Sequence, residues 1–90
     1  MKNNTNKKNK KISVCDAAHL KLLAKTKDST QIQFDFYINI EEASNEIKNE
    51  IIQHLIDNNF EFLGINIDIV NNYPLNDIWD LKKIKKFIKQ

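Results

Sequence analysis

The stretch from Gln31 to Ile38 constrains the fold more than any other part of the chain. Ile32, Phe34, Phe36 and Ile38 alternate with Gln33, Asp35 and Tyr37. A strict period of two matches the pleat of a β-strand, whose successive side chains leave on opposite faces. One face is therefore expected in a core and the other in water. Leu63 to Val70 repeats the pattern: Leu63, Ile65, Ile67 and Ile69 point one way, Gly64, Asn66 and Asp68 the other. Phe60 and Phe62 are out of phase with that row, so either a bulge sits near Gly64 or the strand begins at Leu63.

Between these strands the period changes. Ile47, Ile51 and Leu55 recur every four residues, with Ile52 and Ile56 widening the stripe and Glu46, Asn49, Glu50, Gln53 and Asp57 opposite. That is an amphipathic helix. Asn39 is the expected N-cap, with Glu42 three residues on and Ile38 and Ala43 at the staple positions. Asn58 and Asn59 are expected to end it, since Asn tolerates the left-handed conformation. A last helix is expected after the Asn71–Asn76 loop, capped by Asn76 or Asp77. Leu81, Ile84 and Ile88 share its inner face, while Lys82, Lys83, Lys86 and Lys89 line the other.

Residues 12–27 admit two readings. As a helix, Ser13 or Asp16 caps it and Leu20, Leu23 and Ala24 line one face. As a strand, Leu20, Leu22 and Ala24 alternate inward and Asp28-Ser29 turns the chain. Helix propensity favours the first. The second follows from topology, because two strands alone are marginal in water. Without a third strand, a second copy of the chain must share the sheet, making a homodimer. The fold class is accordingly α/β, a two-layer α+β sandwich. Its βαβα core carries both helices on one sheet face, and its two strands are expected to lie parallel and adjacent. Gln33, Asp35, Tyr37, Asn66 and Asp68 then occupy the opposite face.

Residues 1–11 hold five lysines, no acid and no apolar residue besides Met1, so they are expected to be a disordered lysine- and asparagine-rich tail before one domain at 12–90. The chain has fourteen lysines and no arginine, with a net charge of +2. That balance hides a segregation. Residues 81–90 carry five more lysines and no acid, whereas residues 12–80 carry four lysines against all twelve acids. Two basic ends flank an acidic body, which would repel a phosphate backbone that the ends could still touch.

Little in the sequence suggests catalysis. Cys15, His19 and His54 form no cluster with ligand spacing, and one glycine cannot build a phosphate-binding loop. Asp35 and Asp68 could stand near each other on the wet face and share a proton or a cation. Alternation alone also explains two solvated carboxylates. No catalytic residue, metal ligand or cofactor is assigned. A single cysteine fits a reducing compartment, and no apolar run reaches the roughly 20 residues of a membrane helix, so a cytoplasmic location is expected.

Lys11-Ile12-Ser13-Val14, followed by His19 to Ala24 and by Ser29-Thr30, resembles the start of a ribbon-helix-helix DNA-binding domain. The resemblance covers about a third of the chain. It implies a basic strand in the major groove, then two helices that dimerise. The sequence departs from that pattern at Gln31 to Ile38, which alternates like a strand where the second helix belongs.

The residues point instead to a small non-enzymatic binding or regulatory protein that docks on another macromolecule, foremost a protein. An inhibitor or accessory factor of phage or plasmid origin fits the size and composition. Its docking residues are expected to be Tyr73, Trp79 (an exposed anchor beside Pro74), Asp35 and Asp68. The alternative is nucleic-acid binding through Lys7, Lys8, Lys10 and Lys11 of the tail and Lys82, Lys83, Lys86 and Lys89 of the last helix.

Overall fold

The segment the sequence leaves open becomes the centre of the sheet. A computed structural model of the chain describes residues 13–89. The expected tail at 1–11, with Lys7, Lys8, Lys10 and Lys11, lies outside the described residues. Strand β1 (Val14–Lys25) pairs on one side with β2 (Gln31–Asn39) and on the other with β3 (Glu61–Pro74). Both pairings are antiparallel. Helix α1 (Asn45–Asp57) joins β2 to β3, and helix α2 (Leu81–Phe87) follows β3. The chain is thus a small α+β fold of three antiparallel strands and two helices.

This corrects one expectation. β2 and β3 do run parallel, but they are not neighbours, because β1 lies between them. Its composition explains why. Ala18, Leu20, Leu22 and Ala24 are all fully buried, and only a central strand can bury such a row along its whole length. The hairpin to β2 also closes over few residues, so its entropy cost is low. Ser29 takes the left-handed conformation at φ 70°, and Ser29 N–H and Thr30 N–H bond back to Thr26. The His19–Ala24 stretch that resembled a ribbon-helix-helix domain is extended, not helical.

The helix boundaries also differ from expectation. Asn39 caps a 3-10 turn, Ile40–Glu42, by accepting the Glu41 N–H. Ser44 caps α1, its hydroxyl accepting the Ile47 N–H. At the far end Asn59 is left-handed at φ 68°. Asn76 and Asp77 belong to a second 3-10 turn, Leu75–Asp77, and Asp80 caps α2 by accepting the Lys83 N–H at 2.8 Å. Helix α2 starts late because Ile78 and Trp79 run extended beside the sheet, where Trp79 N–H donates to Tyr37 O at 2.8 Å. That bond closes part of the outer edge of β2.

Ile51 and Leu55 of α1 and Ile84 with Ile88 at the end of α2 pack on the even-numbered side chains of β1 and on Phe36 and Ile38. His54 ties the helices together, its Nε2 lying 2.8 Å from Lys85 O and 3.2 Å from Ile88 O. Both helices thus cover one sheet face. The odd phase of Phe60 and Phe62 is resolved by a bulge. Leu23 pairs with Gly64 but Ala24 with Phe62, so Leu63 is the extra residue and Phe62 stays on the core side. A second irregularity places Asn71 and Asn72 opposite Asp16, with Asn72 left-handed at φ 57°.

Candidate functional site: the open face of the sheet

Alternation delivers His19 and Lys21 of β1, Gln33, Asp35 and Tyr37 of β2, and Asn66 and Asp68 of β3 to the face that the helices leave uncovered, and the irregularity at Asn71–Asn72 turns Tyr73 onto it. In register, Lys21 sits opposite Asp35 and His19 opposite Asp68. The ion pairs instead run diagonally. Asp35 Oδ1 lies 2.8 Å from His19 Nε2, and Asp68 Oδ2 lies 3.0 Å from Lys21 Nζ. Gln33 Nε2 donates to both Asp35 oxygens at 3.1 and 3.2 Å. The hydrogen bond and charge of Asp68 raise the Lys21 pKa above the ordinary ammonium value.

Three aromatic rings continue this row. His19 stacks on Tyr37 with centroids 4.2 Å apart, and Tyr37 stacks on Tyr73 at 4.5 Å with planes 4° from parallel. Tyr37 and Tyr73 come from the two outer strands, whose backbones stand about 10 Å apart across β1. Rings so close must meet above the central strand. Ala17, which faces them from β1, is fully buried although no helix covers this side. A small residue here lets the tyrosines close over it. Burial, the nearby Asp77 carboxylate and Tyr37 together push the Tyr73 pKa up.

The expected docking residues therefore separate. Asp35, Asp68 and Tyr73 share the open face, but Trp79 does not join them. Its ring lies 5.3 Å from Phe36 and 5.3 Å from Phe87, half-buried at the margin of the core, with Lys83 Nζ 4.5 Å from its centroid. Asp35 and Asp68 do not form a carboxylate pair, since they sit on the two outer strands with His19 and Lys21 between them. Lys82, Lys83 and Lys86 are exposed along α2, and Lys89 is exposed just beyond its end. His19 and Tyr37 are not among the expected docking residues, although alternation already puts Tyr37 on this face. Their only signal was phase, both falling on the polar side of alternating strands.

Beside Lys21 the open face dips into a shallow dent of about 300 Å³ lined by Leu23, Gln33, Gly64 and Asn66. A Cβ built on Gly64 meets nothing within 4 Å. Among the described residues no group of three or more His, Cys, Asp or Glu is placed to hold a metal ion, and no helix is long and apolar enough to cross a membrane. No protein-family model, curated protein or solved structure matches the chain.

Proposed function

We propose that this chain is a non-enzymatic docking module that binds a protein partner on its open sheet face, as an accessory or inhibitory factor would. The observation that carries the reading is the pre-ordered ladder of His19, Tyr37 and Tyr73, flanked by Asp35 and Asp68. Aromatic rings already held by one another lose little side-chain freedom on binding, which is why such residues dominate binding hot spots. The acidic body favours a partner surface with positive charge, and the dent at Gly64 has room for one partner side chain. Trp79 is left out of this surface because its packing against Phe36 and Phe87 gives it a structural role.

A second reading has its own observation. The exposed lysines on α2, joined by Lys7, Lys8, Lys10 and Lys11, would bind nucleic acid without sequence preference and with steep salt dependence.

One set of measurements separates the two. A photo-crosslinking residue at Tyr73 of the full chain identifies the partner, which is then purified and titrated against wild type, Tyr37→Ala and Gly64→Val. Docking on the open face predicts that both substitutions weaken binding at least about tenfold. A partner indifferent to both would overturn the reading. Micromolar binding to a nucleic-acid duplex, abolished by raising salt and by removing the lysines, would replace it with the second.

A further inference from the structure

The two edges of the sheet are not equivalent. The outer edge of β2 receives the Trp79 N–H, whereas among the described residues the outer edge of β3 pairs with no strand. β3 is the longest strand, at 14 residues. Between its two irregularities, at Leu63 and at Asn71–Asn72, the run Gly64–Val70 carries no lysine and no proline, and Asp68 is its one charged residue. Its apolar side is also incompletely roofed. Ile69 is 58% exposed, although it sits beside the fully buried Ala18.

Helix α1 extends that apolar surface. His54 points toward α2, which lies over β2 through the Phe87 contacts with Phe34 and Phe36. Ile52 and Ile56 are each two residues from His54, which puts them about 200° away and on the β3 flank. Ile56 is 48% exposed.

We infer that the outer edge of β3 pairs antiparallel with β3 of a second copy of this chain, joining two three-stranded sheets into one. Self-complementarity points to that occupant. A two-fold axis perpendicular to the sheet keeps all helices on one side, so opposed residues must belong to the same face. The two irregularities in β3 bound a regular run from Gly64 to Val70, whose midpoint is Ile67. Centred there, Ile67 meets its own copy, Ile65 meets the partner's Ile69, and Asn66 meets the partner's Asp68. The isoleucine rows merge and no carboxylate faces another. Moving the centre one same-face step, to Asp68 or Asn66, either opposes two aspartates or places Ile69 against the bulge at Leu63.

Sedimentation equilibrium of the full chain tests this, with circular dichroism confirming the fold of each variant. Wild type is expected at twice 10.6 kDa at about 100 µM. Asn66→Lys sets an ammonium against the partner's Asp68 and is expected to tighten the dimer about two- to tenfold, while Asn66→Asp weakens it by a similar factor. Each acts twice because of the symmetry. Ile69→Lys, at a position already exposed, is expected to give monomer. The inference is overturned by a wild-type chain that stays monomeric, or by Asn66→Lys and Asn66→Asp shifting the equilibrium in the same direction. Although Asn66 and Asp68 also lie on the open face, the readout is self-association alone, so a monomeric wild type overturns this inference and leaves docking on the tyrosine ladder standing.

Discussion

The two faces of the sheet are made by the same three strands and stabilised by different physics. On the helix side, Leu20, Leu22, Phe36 and Ile38 are shielded from water by Ile51, Leu55, Ile84 and Ile88, and apolar burial supplies the favourable energy. On the open side the same strands carry groups satisfied in pairs: Asp35 by His19 and Gln33, Asp68 by Lys21, and each tyrosine by a ring. Exposed ion pairs contribute little to stability. The open face is therefore ordered without being strongly stabilising, and it can change its chemistry at small cost to the fold.

Leu20 and Lys21 are adjacent on β1 and point opposite ways, so they probe that contrast most directly. Leu20→Ala is expected to lose about 2–5 kcal/mol, a large part of what a domain of this size has. Lys21→Ala should move the urea midpoint far less. Comparable losses would abolish the distinction between the faces. Ala17 is the exception that sharpens it, being a fully buried residue on the open side. Ala17→Leu is expected to force Tyr37 and Tyr73 apart at about 1–3 kcal/mol, with loss of near-ultraviolet circular dichroism from the stacked rings.

The sequence was legible where a local period decided the structure. Gln31–Asn39 and the Ile51–Leu55 stripe follow from alternation and from the helical repeat. Val14–Lys25 was not legible, because Ala, Leu and Lys favour helix while position in the sheet favours strand. Tertiary context decided, since the sheet needed an apolar centre. The helix starts were misplaced for a related reason. Asn39 instead caps a 3-10 turn, Asp77 lies inside another, and backbone pairing of Trp79 with Tyr37 delays α2. On the site, Asp35 and Asp68 are placed on a wet face by phase alone, but Tyr73 shares the odd phase of Ile67 and Ile69 and reaches that face only through the irregularity at Asn71–Asn72. The ladder could not be read, because Tyr73 reaches Tyr37 across a strand whose placement the sequence left open. Trp79 was read as exposed because it falls off the α2 stripe, while its contact with Phe36 depends on the chain running back along β2.

Tyr37 is the middle ring of the ladder, so its removal sharpens the comparison from the open side. Tyr37→Ala is expected to lose about 1–2 kcal/mol, less than Leu20→Ala, since a half-buried stack is given up without opening a core cavity. Tyr37→Phe keeps both stacked contacts and should leave stability close to wild type. A Phe variant as unstable as the Ala variant would mean that the phenol hydroxyl, not stacking, orders this face.

The smallest expected effect is in pH, and its sign follows from the two shifts on the open face. Tyr73 is harder to ionise in the fold because burial and the Asp77 carboxylate disfavour the phenolate. Lys21 holds its proton more firmly because Asp68 accepts a hydrogen bond from it. Both groups have folded-state pKa values above their unfolded ones. Each therefore contributes stability that is complete below its unfolded pKa and is lost as pH rises through the folded value. The open face should thus loosen on the alkaline side and be unaffected by these two groups between neutral and mildly acidic pH. Following tyrosine ionisation by absorbance near 295 nm, one phenol should titrate late in wild type and disappear from the curve in Tyr73→Phe. Among the described residues no titratable side chain is fully buried in the helix-side core, so core packing should persist through that transition. If near-ultraviolet signals from Trp79 were lost together with those of the tyrosines, the two faces would be unfolding as one unit, and the open side would be coupled to the core far more tightly than its pairwise contacts allow.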